Sequence, residues 1–342
     1  MPIKKLIFAT YRPIPPLFLA GTEVNQRFFC NQVASNVNLV CIGAYNTLKD
    51  LSIYVKELKS LDIKVCKRDV FSIEYIYNNY LCIITSKEKV LEVIDEITIE
   101  GTKVITQQSG SKDIIEHCKK RKVPICYWLH HTVTDFEKYF NANPDFIFTS
   151  SEFIKSYIDS FGHTSVEVFY PTFEKAKLSN QNPRYITLIN PIYDKGLDVL
   201  EQLALAFPNE QFLIVGGWVD LKLNENYADN IRFIARNHDM HNIYQQTKIL
   251  LSPSRLREGF GRTVIEAGLY GIPALTSNLG ALPEAVGEGG ICISTFEIQD
   301  WSNAIIDLNE KYSFYSEKAK LNALKYASID AFERLKSTRF YE

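Results

Sequence analysis

Between residues 251 and 290 the chain gathers groups able to hold a phosphorylated, hydroxyl-rich ligand. Glu258 and Glu266 are separated by seven residues, among them Gly259, Phe260, Gly261, Arg262 and Thr263. An apolar strand ends at Pro253, a glycine-rich loop follows, and a helix starts near Gly261. Gly259 and Gly261 let the backbone come close to a ligand. The free amides of the first helical turn, aided by the helix dipole, suit a phosphate. Glu258 falls in the loop and Glu266 on the helix. One carboxylate can accept from the hydroxyls of a sugar and the other from the ribose of the same nucleotide. Gly271-Ile272-Pro273 then ends the helix and opens the next strand. Either glutamate alone reads as a solvated surface charge; the glycine loop, helix and stop in register give the pair its chemical meaning.

Other candidates lie at the same kind of strand-to-helix junction. Asn190-Pro191-Ile192-Tyr193-Asp194-Lys195-Gly196 closes one strand and opens a helix. Lys195 there offers a point charge to a diphosphate. Gly216 and Gly217 end the next strand and permit either close ligand approach or a simple tight turn. Arg236 follows strand 231–235. Gly21, in Ala20-Gly21-Thr22-Glu23, opens a helix after the proline-rich loop that begins at Arg12. His130 and His131 end the buried strand 125–130, and the position leaves both open as candidates. The basic run Lys119-Lys120-Arg121-Lys122 closes a helix, where cations suit the dipole; a patch for anionic headgroups is the sharper alternative. Tyr75, Tyr77 and Tyr80 belong either to the core or to an acceptor groove.

These junctions need elements to hold them. Short apolar runs at 6–9, 37–43, 63–65, 81–85, 103–107, 125–130, 146–150 and 166–170 read as strands. Helices are expected at 23–33, 48–61, 87–96, 112–122 and 151–161. A polar stretch, 174–184, reads as a linker. The pattern then restarts, with strands at 186–190, 212–215, 231–235, 249–252, 273–276 and 291–293. The second set of helices is expected at 197–207, 240–247, 262–270 and 282–286, and 299–339 as helical throughout. This alternation predicts an α/β protein of two Rossmann-like parallel-sheet domains facing a central cleft. The boundaries expected are 1–178, 179–312, and C-terminal helices 313–342 packing back on the first domain.

The 342 residues suffice for two domains, and 46% hydrophobic with 23% charged residues is the balance of a globular chain. A net charge of -2 gives no reason to expect nucleic acid as a partner. The seven cysteines form no Cys-x-x-Cys pair and read as small core residues in a reducing compartment. The amino-terminal apolar run is too short for a signal peptide, and no run reaches membrane-span length. The expectation is a cytoplasmic protein, at most peripheral on the inner face of a membrane.

With these residues in view, the sequence resembles the retaining GT-B glycosyltransferases of the large family four. The resemblance rests on Pro253-Ser254, Glu258-Gly259-Phe260-Gly261, Glu266-Ala267, Gly271-Ile272-Pro273, Gly280 and Pro283-Glu284. It is dense over some forty residues and fainter elsewhere. It implies that Glu258 contacts donor-sugar hydroxyls, Glu266 holds the ribose, and Lys195 holds the diphosphate. It implies a histidine at the donor sugar, His130 or His131, and a phosphate or sugar beside Gly21. Arg236 is placed by the same resemblance at the base pocket. The family's diphosphate arginine is Asn190 here, with Arg255, Arg257 or Arg262 as substitutes. The implied reaction moves a hexosyl or N-acetylhexosaminyl group from a UDP- or GDP-sugar to a glycan, lipid-linked or protein acceptor, with no cofactor and no general base. No Asp-x-Asp occurs in the chain, so no bound catalytic metal is expected. The rival readings are a non-catalytic nucleotide-sugar-binding subunit, a phosphorylase or an epimerase.

Overall fold

Two parallel sheets organise the chain. The computed structural model describes residues 3–17, 20–108, 110–132, 141–161, 166–176, 182–217, 228–235, 239–328 and 330–342. Two compact units emerge. One comprises Met1–Ser150, Ile154–Thr172 and Ile329–Glu342; the other comprises Ser151–Phe153 and Phe173–Ser328.

Among its described residues the first unit carries nine strands: β1 Lys5–Ala9, β2 Asn38–Tyr45, β3 Cys66–Lys67, β4 Ile73–Tyr77, β5 Tyr80–Ser86, β6 Thr102–Gln107, β7 Ile125–Leu129, β8 Phe146–Thr149 and β9 Val166–Val168. Their order is β3-β4-β5-β2-β1-β6-β7-β8-β9, antiparallel only at β3-β4 and β4-β5. Residues 63–65, expected as a strand, lie outside regular structure; the two-residue β3 forms the edge, and β4 joins β5 in a hairpin. Asn78 and Asn79 make this hairpin, both at positive φ (42° and 67°), as a tight two-residue turn requires. Tyr75 and Tyr80 are buried, and Tyr77 packs against the same core, so these rings line the interior rather than a groove. Phe8, Phe29, Trp128, Phe148 and Phe169 form the aromatic centre of that core. Of the cysteines, Cys66 departs from the core reading and is exposed, and Cys292 is half-buried.

The second unit carries β10 Tyr185–Ile189, β11 Gln211–Val215, β12 Ile231–Ile234, β13 Thr247–Ser252, β14 Ala274–Ser277 and β15 Gly290–Ile293, all parallel. Their order, β12-β11-β10-β13-β14-β15, reverses direction between β10 and β13. In doubly wound sheets that switch point opens the crevice where ligands sit. The loops leaving β10 and β13 are those carrying Lys195 and Glu258. Residues 240–247 give only one turn of helix, His241–Tyr244, because Thr247 already belongs to β13.

The tail is three helices rather than one run: Ile298–Glu310, Tyr312–Ala327 and Ala331–Lys336, broken at Lys311 and before Asp330. Asp330 caps the last by accepting from the amides of Phe332 and Glu333. The first two of these helices stay with the second unit, and only 329–342 join the first.

Candidate functional site

Lys195 is placed by a chain reversal that only glycine permits. Gly196 sits at φ 80°, and a β-carbon there would fall 2.5 Å from Pro253 O. The loops after β10 and β13 are thereby pressed together, and Lys195 Nζ pairs with Glu258 Oε1. Ser254 Oγ donates to the same oxygen at 2.7 Å. The two side chains are only 18% and 20% exposed, so this charge pair is already partly withdrawn from water. Glu258 is fixed from its other side by a bridge to Gly280 and by Ala281, whose amide donates to Glu258 O at 2.9 Å.

Gly261, at φ 91°, turns the chain into helix Arg262–Leu269. The first intrahelical bonds start at Val264 N and Ile265 N, both to Gly261 O. The amides of Arg262 and Thr263 precede them at the positive end of the helix. Gly259 and Thr263 are partly exposed at this turn, whereas Phe260 is buried against Phe173 and Tyr326. Phe260 therefore anchors the turn by packing. Glu266, one turn along, accepts from Tyr244 Oη at 2.7 Å on Oε2, and Arg262 Nε lies 2.8 Å from Oε1 as an ion pair.

Asn190 ends β10 in the left-handed region, φ 62°, where asparagine is tolerated. Its side chain lies over Gly217, at which a β-carbon would meet Asn190 Oδ1 at 2.0 Å. Gly216 N donates to Ile234 O, closing the turn after β11. Arg255, a candidate substitute for the family's arginine, makes a two-pronged pair with Asp198 at 2.7 and 2.8 Å and stacks on Tyr193 and Phe296. Arg262 is likewise engaged with Glu266 and the Phe173 ring. Arg257 is exposed. Arg236 lies outside the described residues.

In the first unit the order β5-β2-β1-β6-β7-β8 has its own switch point, between β1 and β6. Gly21 opens helix Gly21–Val33 there, and a β-carbon on it would meet nothing within 4 Å. Glu23, two residues on, is buried, accepts from Thr22 and lies 3.5 Å from Arg12 Nε. His130 and His131 differ sharply. His131 is exposed. His130 is bound through both ring nitrogens, Nδ1 to Ser150 Oγ at 2.7 Å and Nε2 to the Gln107 side chain at 2.8 Å, with its ring over Trp128. Gln107 in turn meets Gln26 at 3.1 Å. In the basic run, Lys119 pairs with Asp145 and Arg121 with Asp95, which favours its structural reading.

Sequence reasoning gave no role to Tyr244, Ser254, Asp198, Gln107 or Ser150. Except for Ser254, four positions from Glu258, their polar atoms meet the candidate residues across long sequence separations, a signal absent from local spacing. Among the described residues no cluster of three His, Cys, Asp or Glu is arranged to hold a metal ion.

The family model described as "Glycosyl transferases group 1" matches residues 171–326. Among curated proteins, an uncharacterized 41.2 kDa protein in the cps region of Klebsiella pneumoniae is 24% identical over 147 residues, 42% of this chain and 34% of that one. A GDP-mannose-dependent monoacylated alpha-(1-6)-phosphatidylinositol monomannoside mannosyltransferase of Corynebacterium glutamicum is 26% identical over 218 residues, 58% of this chain and 56% of that one. The chain thus spans about a third to a half of the length of these relatives. Among solved structures, Anabaena HepE in complex with UDP and glucose superposes with a TM-score of 0.75 at 13% identity, over 97% of this chain and 98% of that one. The pneumococcal O-GlcNAc transferase GtfA with UDP and GlcNAc gives 0.74 at 14% identity, over 98% of each. At such identities the likeness shows the fold, which is GT-B. Residues 171–326 thus match the group 1 glycosyltransferases, and the chain as a whole has the GT-B fold.

Proposed function

We propose that the protein is a retaining glycosyltransferase that moves a sugar from a nucleoside diphosphate sugar to an acceptor hydroxyl. The observation that carries this is the convergence of Lys195, Glu258 and the start of the Glu266 helix at the β10/β13 switch point. Lys195 and the amides of Arg262 and Thr263 would stabilise the departing diphosphate, and holding donor and acceptor in line supplies the rest. Glu258 takes donor-sugar hydroxyls and Glu266 the ribose. His130, oriented by Ser150 and Gln107, is the candidate for the donor-sugar contact, ahead of His131. No general base, cofactor or bound metal is part of the proposal.

The donor is proposed as UDP- or GDP-linked, because the relatives include a GDP-mannose-dependent enzyme and structures containing UDP. A hexosyl or N-acetylhexosaminyl group would pass to a glycan, lipid-linked or protein acceptor. The proposed location is cytoplasmic, or peripheral on the inner face of a membrane; no helix of the described residues is long and apolar enough to cross one.

The test is a thermal-shift screen with UDP- and GDP-sugars, since a ligand of the folded state raises its melting temperature. Turnover of whichever donor binds follows, with Glu266→Ala in parallel. Absence of any shift, or full activity in Glu266→Ala, would sink the proposal. Asn190 at the arginine position and Arg255 committed to Asp198 favour one second reading, a nucleotide-sugar-binding subunit without catalysis. Donor that binds and is never consumed, with any acceptor class, selects that reading.

A further inference from the structure

We infer that Tyr244 is a positioning residue that presents the Glu266 carboxylate to both hydroxyls of a nucleotide's ribose. The inference rests on the reading of Glu266 as the ribose ligand. An ionised carboxylate offers about four acceptor positions on its two oxygens. Here Tyr244 Oη occupies one on Oε2, and Arg262 Nε lies 2.8 Å from Oε1 as an ion pair. Each oxygen keeps at least one acceptor position, enough for the two neighbouring hydroxyls of a ribose. With Arg262 alone the terminal carboxylate torsion is soft, because such sp³–sp² torsions have broad minima. Tyr244 supplies the second anchor.

The hydroxyl is not needed for packing. Tyr244 is 3% exposed and its ring lies against Tyr270, 5.4 Å between centroids. Tyr270 is held separately by His241, 2.9 Å from its hydroxyl. A phenylalanine would keep these ring contacts and lose only the bond to Glu266. Burial foremost, and then the negative charge of Glu266, push the Tyr244 phenol well above its usual range, so it stays a donor at any working pH.

The experiment titrates UDP and GDP, and their 2′-deoxy and 3′-deoxy forms, calorimetrically into wild type, Tyr244→Phe, Glu266→Gln and the double variant. Wild type should lose roughly tenfold in affinity for each missing hydroxyl, the worth of one charge-assisted hydrogen bond. Tyr244→Phe should bind the ribonucleotide about tenfold more weakly and discriminate the deoxy forms only two- to threefold. In the Glu266→Gln background the same change should have no further effect. The inference is overturned if Tyr244→Phe binds as wild type does. It is also overturned if ribo and deoxy forms weaken equally with discrimination intact, or if the two changes add. Wild type that binds nucleotide without ribose discrimination removes the role of Glu266 and this inference while leaving donor binding in place. Binding of neither nucleotide overturns both.

Discussion

Replacing Gly280 by alanine should move Glu258 without touching its side chain. Gly280 sits at φ 65°, and a β-carbon on it would fall 2.4 Å from Glu258 O and 2.5 Å from Glu258 N. Ordinary contact begins near 3.4 Å, so the Glu258 backbone must retreat by about 1 Å. The left-handed conformation costs alanine about 1–2 kcal/mol. Loss of the Ala281 N–H to Glu258 O bond adds about 1 kcal/mol. At roughly 2–4 °C per kcal/mol for a unit of this size, the melting temperature should fall by roughly 4–12 °C. Turnover, measured at a temperature where the variant is folded, should drop on the order of a hundredfold, the usual effect of a 1 Å misplacement. Gly271→Ala is the control. It has a similar φ, 71°, but its new β-carbon would meet only Ser316, with Oγ at 3.0 Å. It should lose about 1–2 kcal/mol of stability and keep its turnover. Wild-type turnover in Gly280→Ala, or an equal loss in Gly271→Ala, would refute the claim that Gly280 sets the position of Glu258.

Lys195→Met should weaken UDP or GDP binding by roughly ten- to a hundredfold while leaving the free nucleoside unaffected, because the charge serves the diphosphate; equal losses would refute that role. Gly21→Ala should hold or raise stability by about 0.4–1 kcal/mol, since the added methyl meets open space. Turnover should fall if donor or acceptor fills that space, and unchanged turnover takes Gly21 out of the site. Arg255→Met should destabilise by about 1 kcal/mol or more through loss of its fork to Asp198. Its nucleotide affinity should stay the same, and a selective loss of diphosphate binding would put Arg255 back in the site.

The parallel sheets were legible because buried strands are near-continuous apolar runs, and their glycine-marked ends stand out in one dimension. Lys195 and Glu258 were legible as separate motifs. Their contact was not, since it depends on Gly196 folding against Pro253, 57 positions away. Strand β4 was missed because Ile73-Glu74-Tyr75-Ile76-Tyr77 pairs antiparallel beside the two-residue edge strand β3, where one face carries the exposed Ile76 and the pattern blurs. The difference in setting between His130 and His131 rests on Ser150 and Gln107, which come from the ends of neighbouring strands. Arg255 looked available for a phosphate because nothing in sequence announces Asp198 as its partner.

The return of residues 329–342 to the first unit bears on how the protein is made. Phe340 is fully buried beside Phe146 and Phe148, its carbonyl accepts from Lys103 Nζ at 2.7 Å, and Ala331 N donates to Gln32. A ribosome releases the chain from its amino end, so every residue of the second unit emerges before this closing piece of the first. The order of completion is therefore inverted relative to the order of synthesis. The sheet formed earliest waits, with the seat of Phe340 open, until residues 329–342 arrive.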